Sequence, residues 1–229
     1  MKRNIFLKSV LFVAITALFA SCQIDNYDMP DATITGSVID NATGKPIITE
    51  PYGFRIQMNE TSWGDNPTPR YIAGYVDGTF TDKSYFAGTY VATAIDGAFV
   101  TPESQTITVN SKGTASVTFN VNPYIQFNTV SIVKEGATVK ATFTLVKFVA
   151  SARPVDYAVI ANAKTPYFGM SDNQVSSGRI TLNESDFGVP KEVILTGFTA
   201  GNTYYVRIAA YCENATGRYN YTDVVAITM

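Results

Sequence analysis

Carboxylates are the main side chains in this sequence that could carry acid–base chemistry, because the 229-residue chain contains no histidine. The lack of histidine excludes Ser-His-Asp and Cys-His catalysis, HExxH zinc chemistry and most transition-metal sites. A glycosidase would need two facing acids. Three candidate pairs lie in or beside turns: Asp65 with Asp77, Asp82 with Asp96, and Asp172 with Glu184. The favoured role of these acids is to cap turns and keep the surface soluble, so we predict that the protein is not an enzyme.

Neither a metal centre nor a disulfide is predicted. Calcium could use oxygen ligands from Asp65-Asn66 or Asp172-Asn173, but neither begins a DxDxDG series. The chain has two cysteines, and if Cys22 is modified then Cys212 has no partner. Cys212 lies in an alternating pattern and is expected to be a small buried apolar residue. No cofactor is predicted.

The remaining chemical signal is aromatic. Residues 59–70 include Trp63, the only tryptophan, and two prolines within three residues, which exclude a central strand. A sugar ring can stack on an indole or phenol while amide and carboxylate oxygens bind its hydroxyls. We therefore predict a glycan site at Trp63, with Tyr71 or Tyr75 at its side. The alternative is that Trp63 closes the open end of a β-sandwich as part of its core.

Residues 1–21 have the form of a secretory signal, with a basic start, a short apolar run and small residues before Cys22. The run is shorter than the roughly 20 residues that a membrane-spanning helix needs. The segment Leu18-Phe19-Ala20-Ser21-Cys22 resembles a bacterial lipobox, which implies that Cys22 is acylated and becomes the mature N-terminus. An ordinary secretory signal with a chance cysteine is the alternative. Residues 22–31 are polar and acidic, and we predict that they form a flexible tether.

Composition indicates a β protein with no nucleic-acid partner. The 17 basic and 19 acidic residues give a net charge of −2, and no basic stripe is present. Tyr and Phe are plentiful, with 14 of each, among many β-branched residues. Period-two alternation with turns every 8–12 residues is typical of β-sandwiches. The roughly 200 residues after the tether suit two domains of about 100 residues each.

The first predicted domain spans residues 32–122. We expect one strand from Tyr85 to Ile95, and a closing hairpin of residues 106–109 with residues 115–121. Residues 36–47, Gly-Ser-Val-Ile-Asp-Asn-Ala-Thr-Gly-Lys-Pro-Ile, resemble the opening of carboxypeptidase-regulatory-like (transthyretin-like) β-sandwich domains, and residues 86–92 resemble a later strand of the same family. These domains are usually accessory modules, so the resemblance implies a fold more than an activity.

The second predicted domain spans residues 123–229 and contains about seven strands, the number in an immunoglobulin-like sandwich. Residues 195–208 resemble a fibronectin type III segment. The resemblance implies that Tyr204 is the corner tyrosine, whose hydroxyl bonds to nearby backbone. In this register Tyr204, Val206, Ile208 and Ala210 face inward, whereas Tyr205 and Arg207 face outward. A loop over residues 164–175 holds a second aromatic pair, Tyr167-Phe168.

The whole arrangement resembles the DUF3823-type lipoproteins of Bacteroides, which combine a lipobox with these two kinds of domain. We therefore predict an all-β chain of two tandem β-sandwiches, the first transthyretin-like and the second fibronectin type III-like. The resemblance implies an outer-membrane, surface-exposed lipoprotein that binds or presents extracellular polysaccharide beside SusC- and SusD-like proteins. The alternative is a structural or assembly component that contacts outer-membrane partner proteins.

Overall fold

A computed structural model of the chain describes residues 28–64, 66–215 and 217–229, so the signal segment, Cys22 and Asp65 lie outside the described residues. The described chain is all-β, apart from two short 3₁₀ turns at Glu184–Asp186 and Glu213–Ala215. None of the helical segments in this part of the chain is long and apolar enough to cross a bilayer. The strands, in chain order, are β1 Ala32–Asp40, β2 Arg55–Glu60, β3 Arg70–Ala73, β4 Thr79–Tyr85, β5 Gly88–Ile95, β6 Phe99–Val100, β7 Gln105–Val109, β8 Thr114–Pro123, β9 Ile125–Glu135, β10 Thr138–Lys147, β11 Pro154–Asn162, β12 Val175–Ser176, β13 Ile180–Thr181, β14 Pro190–Leu195, β15 Thr203–Cys212, β16 Tyr219–Tyr221 and β17 Val225–Thr228.

The first half of the chain forms a sandwich of two four-stranded sheets. Their strand orders are β4-β1-β8-β6 and β3-β2-β5-β7, and β1 pairs with β8 in parallel. Alternate residues of these strands fill one core, which contains Ile34, Phe54, Ile56, Phe80 and Phe119. The predicted all-β sandwich is therefore confirmed.

Two predictions about strand pairing in this sandwich are wrong. β7 and β8 do not form a hairpin, because β7 pairs with β5 while β8 pairs with β1 in the opposite sheet. The turn at residues 110–113 therefore carries the chain from one sheet to the other, a path that the same turn-forming residues allow. The prediction of one strand from Tyr85 to Ile95 is wrong as well. The chain forms two strands there, since β4 ends at Tyr85 and β5 begins at Gly88.

The second half forms another sandwich, with sheets β14-β10-β9 and β12-β11-β15-β16, to which β13 and β17 add short pairings. The inward register predicted for β15 is confirmed, because Tyr204, Val206, Ile208 and Ala210 all lie in the core. The Tyr204 hydroxyl accepts a hydrogen bond from the backbone N–H of Thr199 over 3.2 Å. This is the corner contact that the fibronectin type III resemblance implies. Cys212 is buried, as predicted, and burial raises the pKa of its thiol to about 11.

Arg207 projects from the outer face of its sheet, as predicted, yet its side chain is only 1% exposed. A second apolar layer covers that face. The layer contains Phe168 and Met170, from the loop before β12, and Ile48, from the first domain. Alternation along one strand cannot reveal a cover supplied by distant segments.

Hydrogen bonds also join the two sandwiches where the chain passes from β8 to β9. The carbonyl oxygen of Ala98, in the first sandwich, accepts bonds from the Tyr124 N–H at 3.2 Å and from the Asn220 side-chain amide at 2.8 Å. The Gln126 amide donates to the Asp40 carboxylate over 2.8 Å. The two halves therefore have separate cores but contact each other through buried and partly buried polar groups.

Candidate functional site

The segment between β1 and β2 carries Glu50 from the first domain onto the second. The backbone N–H of Thr49 donates to the Val76 carbonyl over 3.0 Å, and the N–H of Gly53 donates to the Glu50 carbonyl over 2.9 Å. These two bonds anchor the segment and close a turn after it. The Glu50 side chain is thereby directed away from its own sandwich, so a residue of the first domain can form part of a site on the second.

Glu50 is fixed on the second domain by three contacts. Its carboxylate accepts a hydrogen bond from the Tyr221 hydroxyl at 2.9 Å and pairs with Arg218 at 3.3 Å. A methyl group at Gly169 would lie 2.2 Å from a Glu50 carboxylate oxygen, so only glycine permits this approach. Burial, with help from the Glu50 charge, raises the pKa of Tyr221, so its hydroxyl stays protonated and can donate.

Arg207, on β15 of the second domain, holds the same segment through hydrogen bonds. Its guanidinium donates to the carbonyl oxygens of Thr49, at 3.1 Å, and Phe168, at 2.9 Å. It also stacks on the Tyr221 ring, with its central carbon 3.9 Å from the ring centroid. Burial lowers the pKa of Arg207 to about 10, which leaves the group charged at neutral pH. We call Thr49, Glu50, Arg207 and Tyr221 the interdomain latch.

An open pocket of about 330 Å³ lies beside the latch. Its polar lining balances two arginines against two carboxylates, and Met170 and Tyr219 provide its apolar surface. The Arg179 side chain is 64% exposed, and its guanidinium lies 3.8 Å from the Asp156 carboxylate, too far for a direct hydrogen bond. The four charged residues that line the pocket are Glu50, Asp172, Arg179 and Arg218.

A buried acid lies next to this pocket. Asp156 is 6% exposed, and burial raises the pKa of its carboxyl group, although the Arg179 charge acts in the opposite direction. Burial and the neighbouring Asp156 charge raise the pKa of Tyr219 to about 12. Tyr219 therefore remains a neutral phenol over the physiological pH range.

Two exposed tyrosines are close in sequence to residues at the pocket. Tyr52, 69% exposed, comes two residues after Glu50, and Tyr167, 63% exposed, comes two residues before Gly169. Tyr52 has a φ of 58°, which is rare for a bulky residue. Sequence reasoning identified Tyr167 but missed Tyr52. The run Glu50-Pro51-Tyr52-Gly53 is a turn signal that places an aromatic residue at a loop tip.

The structure does not bring the predicted aromatic site residues together. Trp63 is 82% exposed, so its interpretation as core is wrong. It lies in the loop beyond the C-terminal end of β2. Tyr71, on the edge strand β3, pairs with Gln57, and the guanidinium of Arg55 lies 4.4 Å from the centre of its ring. Tyr75 lies in the turn before β4, beyond the other end of this strand pair. These residues therefore extend along the sandwich instead of forming one surface.

Most of the candidate acids have structural partners. Asp77 accepts bonds from the backbone and hydroxyl of Thr79, and Asp96 pairs with Arg55. Asp82, within β4, accepts a hydrogen bond from the Ser84 N–H at 2.9 Å. Among the described residues, no three acidic or cysteine side chains cluster closely enough to hold a metal ion. Asp172 is the only one of the described candidates in the three pairs that lines the pocket beside the latch.

The fold and this junction define a two-domain β-sandwich protein with a pocket where the domains meet. Residues 32–122 match the family model described as the N-terminal domain of a protein of unknown function, DUF3823. The predicted DUF3823 resemblance is thus confirmed. No curated protein matches the chain.

Solved structures share the architecture over the full folded length. A DUF3823 family protein from Bacteroides uniformis is 21% identical, with a TM-score of 0.75, and the match covers 87% of this chain and all of that one. A second protein from Bacteroides uniformis, described as a candidate carbohydrate-binding protein, is 25% identical with a TM-score of 0.72 and the same coverage. A DUF3823 family protein from Parabacteroides merdae is 23% identical, with a TM-score of 0.67 over 88% of this chain and all of that one.

Proposed function

We propose that this protein is a non-catalytic, glycan-binding surface lipoprotein, tethered to the outer membrane by an acylated Cys22. In this proposal it works beside SusC- and SusD-like proteins in polysaccharide uptake. The pocket at the interdomain latch is the observation that carries the proposal. The fold shared with a candidate carbohydrate-binding protein at 25% identity supports the same class of ligand.

The lining of the pocket suits an uncharged sugar. The two arginines supply N–H donors and the two carboxylates supply acceptors, so hydroxyl groups can bond in both directions. The opposite charges balance, which favours a neutral ligand over a strongly anionic one. Its volume of about 330 Å³ is at the lower end of small-molecule sites, roughly 300–1,000 Å³. The pocket therefore takes the end or a branch of a glycan. Tyr52 and Tyr167, exposed and within three residues of lining residues in the sequence, are the aromatic side chains proposed to extend the contact.

The position of the pocket fits presentation of glycan away from the membrane. The tether enters the first sandwich at the start of β1, and β1 ends at Asp40, which bonds to Gln126 at the domain junction. A strand rises about 3.3 Å per residue, so the junction is roughly 26 Å from the point where the tether enters. The second domain and the pocket are therefore at the end of the molecule that faces away from the tether.

A binding role is favoured over hydrolysis by the contacts of Glu50. Both of its oxygens accept hydrogen bonds, from Arg218 and from the Tyr221 hydroxyl. Glu50 is thus held by structural partners, whereas a catalytic acid must be free to reach the leaving group. The only other carboxylate lining the pocket is Asp172, which is exposed.

The edge strand β14, with Ile194 54% exposed, is a feature that favours an assembly role. However, β14 also carries Pro190, Lys191 and Glu192. Proline and charged residues on an edge strand oppose pairing with another chain. This strand therefore gives weaker support to an assembly role than the pocket gives to glycan binding.

The test is a screen of the chain from residue 23 onward against soluble polysaccharides and their oligosaccharides, followed by calorimetry. We expect weak binding to at least one neutral glycan, with no release of reducing ends on long incubation. Binding without hydrolysis supports the proposal. Hydrolysis would make the protein an enzyme, and no binding to any glycan would favour the assembly role.

A further inference from the structure

The two most exposed large hydrophobic side chains of the described residues lie at one end of the first sandwich. They are Met29, 83% exposed, and Trp63, 82% exposed. Phe86, 50% exposed, lies at the same end. We call these three residues the tether-end patch. Apolar side chains that are this exposed and lie close together mark a contact surface.

Trp63 is held at this end because the two ends of its loop contact the end of β4 and the start of β5, the strand ends on either side of Phe86. The backbone N–H of Thr89 donates to the Ser62 hydroxyl over 2.6 Å. Arg70 donates to the Ser84 carbonyl over 2.6 Å. The Trp63 loop therefore lies against the connection that contains Phe86.

The chain from the tether enters at the same end. Ala32 pairs with Tyr85, the residue before Phe86. The Asp31 carboxylate accepts bonds from the Lys112 N–H at 3.1 Å and from the Ser111 hydroxyl at 2.9 Å. These bonds fix the direction of the chain just before β1. Met29, two residues earlier, consequently lies at the same end of the sandwich as Phe86.

We infer that the tether-end patch contacts the lipid surface to which the tether holds the protein, an inference that rests on the proposed acylation of Cys22. The predicted tether, residues 22–31, has ten residues, and a flexible linker of that length would have an end-to-end distance of roughly 16–19 Å. The patch is therefore kept at a high effective concentration next to the headgroups. Tryptophan and phenylalanine suit this boundary, because part of each side chain can enter the apolar region while the rest of the loop stays in water.

The charges around the patch indicate that apolar contact, more than attraction to anionic lipid, drives the association. The described charged side chains at this end nearly balance, with four acids and three bases, so they offer no excess of positive charge. They are Asp28, Asp31, Glu60, Asp82, Arg70, Lys83 and Lys112. The contact is thus expected to be weak without the tether and to depend little on salt. This arrangement would also keep the second domain and its pocket pointing away from the membrane.

Trp63 itself provides the measurement, because it is the only tryptophan in the chain. Unacylated protein beginning at Cys22 is coupled through that thiol to phosphatidylethanolamine–phosphatidylglycerol vesicles that contain a maleimide lipid. Cys212 is buried and has a raised pKa, so coupling occurs at Cys22. On coupling we expect the Trp63 emission to move to shorter wavelength, and to lose intensity when the lipids are brominated near the headgroup. Replacing both Met29 and Phe86 with Ser should reduce both changes, whereas Tyr167→Ser, at an exposed aromatic outside the patch, should leave them intact.

An unchanged Trp63 emission after coupling would overturn the inference. So would a change seen only with outer-membrane vesicles that contain proteins, since the patch would then contact a protein partner. The coupled vesicles contain no glycan, and the maleimide replaces the acyl chains. The outcome is therefore separate from whether the pocket binds sugar and from whether Cys22 is acylated in cells.

Discussion

The guanidinium of Arg207 in the second domain donates a hydrogen bond to the carbonyl oxygen of Thr49 in the first, over 3.1 Å, and both residues are buried. This contact holds the segment that places Glu50 at the pocket. The candidate site thus depends on how the two sandwiches are held together, and not on either one alone.

Replacing Arg207 with Met should destabilise the protein by about 2–4 kcal/mol. The methionine fills much of the volume but leaves the carbonyl oxygens of Thr49 and Phe168 unpaired, and hydrogen bonds to charged groups contribute about 1.5–3 kcal/mol each. Urea unfolding followed by circular dichroism measures the change. Arg153→Met, at an exposed arginine, should change the free energy of unfolding by less than about 0.5 kcal/mol. Equal stabilities of the two variants would contradict the role of Arg207 in the latch.

The predicted boundary near Asn122 can be tested by producing residues 31–121 and 124–229 separately. Each fragment contains a complete sandwich core, so at least one should be soluble and unfold cooperatively. We expect fragment 124–229 to unfold at a lower urea concentration than the whole chain, because it loses the cover from Ile48 and the Arg207–Thr49 bond. Two insoluble or unfolded fragments would mean that the halves fold only as one unit.

Tyr204→Phe should lower the free energy of unfolding by about 1 kcal/mol, since it removes one hydrogen bond. The ring remains, with its edge-to-face contact to Phe198 at 4.8 Å between centroids. Thr199 is exposed, so water can partly replace the lost acceptor and keep the cost small. A denaturation midpoint identical to that of the unchanged protein would argue against a stabilising corner contact.

Cys22→Ala should release the protein from the membrane fraction of the producing bacterium, because the acyl chains would have no thiol to join. Fractionation followed by immunoblotting measures the distribution. Cys212→Ala is the matched control and should leave the distribution unchanged, since this thiol is buried in the second core. A Cys22→Ala protein that stays with the membrane would rule out acylation as the anchor.

Alternation predicted most of the strands, and the resemblance of residues 195–208 to a fibronectin type III segment predicted the Tyr204 corner, because both depend on residues a few positions apart. They could not predict which sheet β8 joins, since the turn at residues 110–113 is compatible with either path. The burial of Arg207 could not be predicted from its strand either, because the residues that cover it, Ile48 and Phe168, come from distant parts of the sequence. The site was missed for the same reason: Glu50 and Gly169 are distant in sequence and meet only when the domains dock.

The central claim is that glycan binds at the interdomain latch, and calorimetry with a glycan found in the screen tests it most directly. Arg179→Ala removes an exposed donor of the pocket, and a hydrogen bond from a charged group contributes about 1.5–3 kcal/mol, so we expect Kd to rise about tenfold or more. Tyr167→Ala should raise Kd less, through lost stacking. Trp63→Ala, at the tether end, should leave Kd unchanged. The opposite pattern, with binding lost in Trp63→Ala and kept in Arg179→Ala, would contradict the claim and return the site to the Trp63 loop.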